Sequence, residues 1–97
     1  MNERMIALHH LNNPTLHLKK PIPVRLEPFG TGWLVTWVPV ELYADGETED
    51  AAVNNFKHEL IAYYCNLRES PHKQLPKLPA THLNHIKSYI EEIRRPR

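Results

Sequence analysis

A single cysteine, Cys65, is all the thiol chemistry this chain carries, so no internal disulfide can staple its fold. The core must hold by packing alone, which fits a reducing cytosol. Glycine is nearly as scarce: Gly30, Gly32 and Gly46 are the only three, and they form no glycine-rich phosphate loop. Long apolar runs are missing as well. The N-terminus reaches just four consecutive apolar residues, Met5 to Leu8, too few for a secretory signal. No stretch approaches the roughly 18 apolar residues of a membrane span. The net charge of +1 gives no general attraction to nucleic acid.

What the chain does have is an ordinary globular composition. Forty-one per cent of its 97 residues are hydrophobic, too many for a disordered chain and enough for one small domain. The charges are segregated. Glu41, Asp45, Glu47, Glu49 and Asp50 fall within ten residues that contain no base, whereas Lys73, Lys77, Lys87, Arg94, Arg95 and Arg97 dominate the C-terminal end. Acids at a helix start and bases at a helix end complement the helix dipole. The same basic end would also suit an anionic partner surface.

The pattern divides the chain into three parts. Residues 1–20 form a poorly patterned arm, interrupted at Asn12-Asn13-Pro14, in which Met5 to Leu8 adds at most a short strand or turn of helix. Residues 21–70 hold a β-β-β-α core. Ile22, Val24 and Leu26 alternate with Pro23, Arg25 and Glu27, the period of a half-buried strand, and Pro23 suggests that it begins at, or lies along, a sheet edge. After Phe29-Gly30-Thr31-Gly32 comes the strongest strand, Trp33 to Val38, with Trp33, Val35 and Trp37 on one face and Leu34, Thr36 and Val38 on the other. Both faces are apolar, so one should meet a helix and the other a partner or a second copy. Leu42-Tyr43-Ala44 makes a third strand, closed by Asp45-Gly46. Thr48 then caps a helix whose stripe is Ala52, Val53, Phe56, Leu60, Tyr63, Tyr64 and Leu67, ending at Ser70-Pro71. Residues 71–97 are expected to form a proline-rich connector and a terminal helix, capped by Thr81 and striped by Leu83, Ile86, Ile90 and Ile93. The expected fold class is α+β: a three-stranded antiparallel sheet, β-β-β-α-α, with helices packed on one face.

The strand with two tryptophans, the proline turn into Glu41-Leu42, and Ala44-Asp45-Gly46-Glu47-Thr48-Glu49-Asp50-Ala51-Ala52 running into an amphipathic helix resemble the core of HicB-type antitoxins. That family carries a Gly-Asp-Thr-x-x-Glu-Ala-like stretch at the strand-to-helix junction, on a sheet akin to part of an RNase H fold. Gly46, Thr48 and Ala52 match it, and Glu47 stands where the family usually has Asp. The likeness covers roughly residues 22–68. It implies that Gly46 turns the strand with a positive φ, that Thr48 caps, and that Ala52 lets the helix approach the sheet. It also implies a cytoplasmic prokaryotic protein that neutralises a small toxin by binding it, with homo-oligomerisation. One departure is plain. After Leu67 the chain offers a single short helix, too little for the helix-turn-helix by which such antitoxins bind operators.

Candidate chemistry is thin. Of seven histidines, only His82 and His85 share a helix face, at i and i+3, short of the three or four ligands of a zinc site. Surface or capping roles suit them better. Asp45, Glu47, Glu49 and Asp50 come from one turn, whereas nuclease carboxylates converge from separate elements. Cys65 behaves as a small hydrophobe within its helix. We therefore expect no catalytic residue, no metal and no cofactor. Trp33, Val35, Trp37, Leu83, Ile86 and Ile90 are the candidate partner or oligomer surface. The alternative is a small RNA-binding regulator that stacks bases on Trp33 and Trp37, although that strand contains no basic residue. DNA contact has no sequence support, and neither does a membrane.

Overall fold

The computed structural model describes residues 3–69 and 77–92. In chain order they form β1 (Arg4–Leu8), β2 (Leu16–Leu18), β3 (Ile22–Phe29), β4 (Gly32–Trp37), a 3-10 turn (Val38–Val40), β5 (Leu42–Gly46), α1 (Glu49–Glu69), α2 (Lys77–Lys87) and β6 (Ile90–Glu92). The class is α+β, as expected. The sheet, however, has four antiparallel strands, in the order β1-β3-β4-β5, where three were expected. The extra strand comes from the N-terminal arm, whose residues Arg4 to Leu8 pair with Leu26 to Ile22.

Local turn chemistry orders the rest of that arm. Asn13 Oδ1 accepts from Thr15 N at 2.9 Å and from Leu16 N at 3.1 Å, and Asn12 adopts a left-handed φ of 56°. Leu11 and Leu16 are thereby turned into the core. The sequence Asn12-Asn13-Pro14 builds a reversal between two strands.

Strand β3 does not lie along a sheet edge but begins at one, the first of the two placements Pro23 suggests, because β4 pairs with it only from Arg25 onward. Its pairing explains the tolerance. β1 covers residues 22–26 and β4 covers residues 25–29, so Pro23 lies beyond the reach of β4 and Pro28 beyond that of β1. Each proline stands where one side of the strand has no neighbour to receive a donor. The β3–β4 hairpin closes through Gly30 at φ 59°, at the first of two loop positions, where tight hairpins favour glycine.

Thr48 caps α1 as the sequence predicts: its Oγ1 accepts from Ala51 N at 3.0 Å and its carbonyl from Ala52 N at 2.9 Å. Removing that acceptor strands an amide at the helix start. Thr48→Ala is accordingly expected to lower stability by about 1 kcal/mol in urea unfolding, with no change in the folded spectrum. Gly46, by contrast, does not adopt the positive φ that the junction pattern implied; Gly30 is the glycine that does. Gly46 is needed for space. A Cβ there would lie 2.4 Å from Ala52 N, so the helix start rests directly on the strand.

The chain beyond α1 departs most from expectation. Residues 70–76 and 93–97 lie outside the described residues, among them most of the connector, Ile93, and Arg94, Arg95 and Arg97. The second helix begins at Lys77, so Thr81 is inside it and not its cap. Pro79 falls in the first turn, where an amide has no helical partner to lose. The helix ends at Lys87. Ser88 Oγ donates to the His85 carbonyl at 2.6 Å, and Tyr89 N donates to the Ile86 carbonyl at 2.9 Å. Ile90 to Glu92 then pair with Leu18 to Leu16 as a second, two-stranded sheet. Ile90 was expected on a helix and reaches the core from a strand.

One core unites these parts: Ile22, Val24 and Leu26 of β3, Val35 and Trp37 of β4, Phe56 and Leu60 of α1, and Leu83 and Ile86 of α2 are all buried. α1 lies chiefly over β5 and β4. Polar ties join its far end to the C-terminal elements. Tyr63 Oη pairs with His82 Nδ1 at 2.7 Å, Tyr64 Oη donates to Glu92 Oε2 at 3.1 Å, and Arg68 forms an ion pair with Glu92.

Burial, with Glu41 added at Tyr63 and the Glu92 bond added at Tyr64, pushes both phenols above their ordinary 10.0. The folded state thus holds these protons more tightly than the unfolded chain does. The stability they contribute is complete below pH 10 and falls as pH rises through the raised values. Urea midpoints measured either side of pH 10 are expected to drop on the alkaline side, and Tyr63→Phe with Tyr64→Phe to flatten that drop. Lys57, buried in α1 and pushed below 10.5 by desolvation, works in the opposite direction.

Candidate partner-binding face

Each strand of a sheet shows alternate residues to its two faces. Here α1 covers the side bearing Val24, Leu26, Val35, Trp37 and Ala44. The opposite side carries a row that crosses all four strands, Met5, Arg25, Thr36 and Tyr43, aligned by the pairings Met5↔Arg25, Arg25↔Thr36 and Thr36↔Tyr43. A neighbouring row joins Glu27, Leu34 and Asp45.

This outer face mixes charged side chains with the exposed large hydrophobics of the described residues. Met5 is 65% exposed, Phe29 56%, Val38 59% and Tyr43 66%, and no other large hydrophobic among the described residues is as open. Leu34 is half-buried between them. A shallow hollow of ≈ 330 Å³ opens here, lined by Phe29, Leu34, Thr36, Tyr43 and Asp45. Arg25 Nε and Glu27 Oε1, 3.7 Å apart, place a charged pair in the middle of this face, on the inner strand β3.

The residues expected to form the partner surface lie elsewhere. Val35 is 0% exposed, Trp37 1%, Leu83 3%, Ile86 0% and Ile90 3%, and all five pack in the chain's own core; Trp33 is half-buried against it. The apolar area of the two-tryptophan face is the reason. It is the larger of the two faces of β4, and burying it against α1 and α2 gains most. The smaller set, Leu34, Thr36 and Val38, is left outside. Trp37 in this position cannot stack on a base, which removes one of the two platforms of the RNA alternative. Two signals in the sequence pointed to the outer face: the second apolar set on β4, and Met5 in a segment read as an arm.

Groups with chemical potential do not converge. His82 is buried and bonded to Tyr63, whereas His85 turns toward Trp37, with ring centroids 5.4 Å apart. The expected surface or capping role therefore fails for His82. Glu49 pairs with Arg4, and Asn55 Nδ2 donates to the Asp45 carbonyl at 2.8 Å. Cys65 is half-buried against the core. Among the described residues no three His, Cys, Asp or Glu side chains gather to hold a metal ion, and no helix is long and apolar enough to cross a membrane. Compared with known proteins, the chain matches no family model, no curated protein and no solved structure.

Proposed function

We propose that this chain is a non-catalytic partner-binding protein, of the HicB-like antitoxin kind, which neutralises a small toxin by direct contact. On this reading its sheet is a variant of the partial RNase H-like core, with one face given to α1 and the other to the partner. One observation carries the proposal: on the outer sheet face and the turn that follows β4, Met5, Phe29, Val38 and Tyr43 are each more than half exposed, beside a core that is otherwise well buried. Exposed apolar area of that kind is stabilised by docking. Of the junction residues, Thr48 as cap and Ala52 at the close approach of helix and strand support the kinship.

The test is functional. A small reading frame is expected beside this gene, its product to arrest growth when expressed alone, and co-expression of this chain to restore growth. Phe29→Asp with Val38→Asp, both at exposed positions, is expected to abolish restoration while leaving the urea midpoint unchanged. Restoration by that double variant equal to the wild type would overturn the proposal, as would the absence of any arrest to restore.

A further inference from the structure

The four-stranded sheet has two outer strands, β1 and β5. An outer strand presents backbone N–H and C=O groups that can receive another extended chain. Beside β5 runs a groove of ≈ 590 Å³ with residues 41–45 along one wall and Asn55, His58 and Glu59 of α1 along the other. Asn55 Nδ2 donates to the Asp45 carbonyl, which ties α1 to the strand and already occupies one backbone acceptor of β5, leaving the groups nearer Tyr43 for an added chain. Glu41, Asp45 and Glu59 line this groove, and neither lysine nor arginine does.

We infer that the β5 edge and its groove take up an extended basic segment of the partner by strand addition, as a fifth strand. The inference rests on the partner-binding reading and deepens it by giving the partner's docking element a conformation and a charge. In strand addition, main-chain hydrogen bonds supply affinity and the flanking side chains select sequence. Tyr43 and Asp45 belong to the outer face, so alternate residues of the incoming strand lie beside them; the other set lies toward His58 and Glu59. A carboxylate waits on each side, Asp45 on one and Glu59 on the other, which favours lysine or arginine in both sets. Tyr43 and Asp45 also line the outer-face hollow. An added strand therefore continues the docking face without a break.

The full chain and a short acetylated, amidated peptide that alternates lysine pairs with valine pairs, so that both alternate sets carry lysine, provide the experiment. Amide chemical-shift changes are expected at residues 42–45 and at His58 and Glu59. Two further peptides, N-methylated on one or the other alternate set of residues, separate strand addition from charge adhesion. Only the set whose amides face β5 should weaken binding, by about ten-fold or more. Asp45→Lys with Glu59→Lys should weaken the parent peptide to a similar degree with an unchanged urea midpoint. Equal binding of all three peptides overturns the inference. So do shifts confined to the outer face or β1, and so does absence of binding at low salt. Self-association through β5 without peptide would overturn it too, by giving the edge to a second copy. Peptide binding without growth restoration counts against the antitoxin reading alone; restoration without peptide binding counts against the β5 edge alone.

Discussion

Replacing Gly46 with valine should destabilise the fold by about 3 kcal/mol, the upper end of the cost of overpacking a closed site. A Cβ at this position would stand 2.4 Å from Ala52 N, 2.7 Å from the Ala51 carbonyl carbon and 2.9 Å from Ala51 Cβ. Two of these atoms are backbone in the first turn of α1, so no rotamer change relieves the contact. On the other side, the Gly46 carbonyl oxygen lies 2.3 Å from where a Cβ on Gly32 would be. The strand is held between a helix start and its neighbour strand. Relief requires α1 to lift, and α1 carries Phe56 and Leu60, both fully buried. Gly46→Ala should already lose most of this energy. Gly30→Ala makes the control. Its φ is 59° but nothing lies within 4 Å, so only backbone strain of roughly 1–2 kcal/mol is expected. Urea unfolding of the three variants gives the order directly. A Gly46→Ala protein as stable as the wild type would mean that α1 does not rest on this strand. For a small domain with a total stability on the order of 5–15 kcal/mol, the valine variant would keep only about 2 kcal/mol at the low end of that range, with roughly 3% of molecules unfolded.

The parts of this fold legible in the sequence are those whose pattern is long and local. β3, β4 and α1 each carry an unbroken alternation or a helical stripe, and Thr48 marks the helix start within one residue. The parts that were not legible depend on pairing between distant segments. β2 and β6 have three residues each, and Leu16–Leu18 meets Ile90–Glu92 from the opposite end of the described chain. Leu83, Ile86 and Ile90 fit a helical stripe, while Tyr89, Ile90 and Glu91 fit a strand equally well; the strand forms because β2 offers backbone partners there. β1 was obscured because Met5 and Leu8 show opposite faces of a strand whose neighbour is set by the sheet. At Gly46 the requirement for glycine was read correctly and its cause was not, since close approach of a helix leaves no trace in a single sequence.

The choice between the two faces of β4 was the least decidable from residues alone, because both are apolar. Trp37 tests it. Trp37→Ala is expected to cost about 4 kcal/mol, in the range for emptying a fully buried aromatic site. The indole is 1% exposed and meets the Tyr89 ring edge-on at 5.2 Å and the His85 ring at 5.4 Å. Lys20 Nζ lies over the same Tyr89 ring at 4.4 Å, so β4, the segment after β2 and the end of α2 share one aromatic cluster. Emptying it should also loosen α2, read as faster amide exchange from Leu83 to Lys87. Trp37→Phe separates shape from polarity. Among the described residues the buried Trp37 Nε1 has no hydrogen-bond partner. Removing that donor should recover roughly 1–3 kcal/mol of desolvation, which offsets much of the lost ring. The phenylalanine variant is therefore expected to fall within about 1.5 kcal/mol of the wild type. A tryptophan given to a partner would behave differently: its loss would weaken binding and leave the urea midpoint in place. A stable Trp37→Ala protein would return that face to the surface and place the outer face in the core.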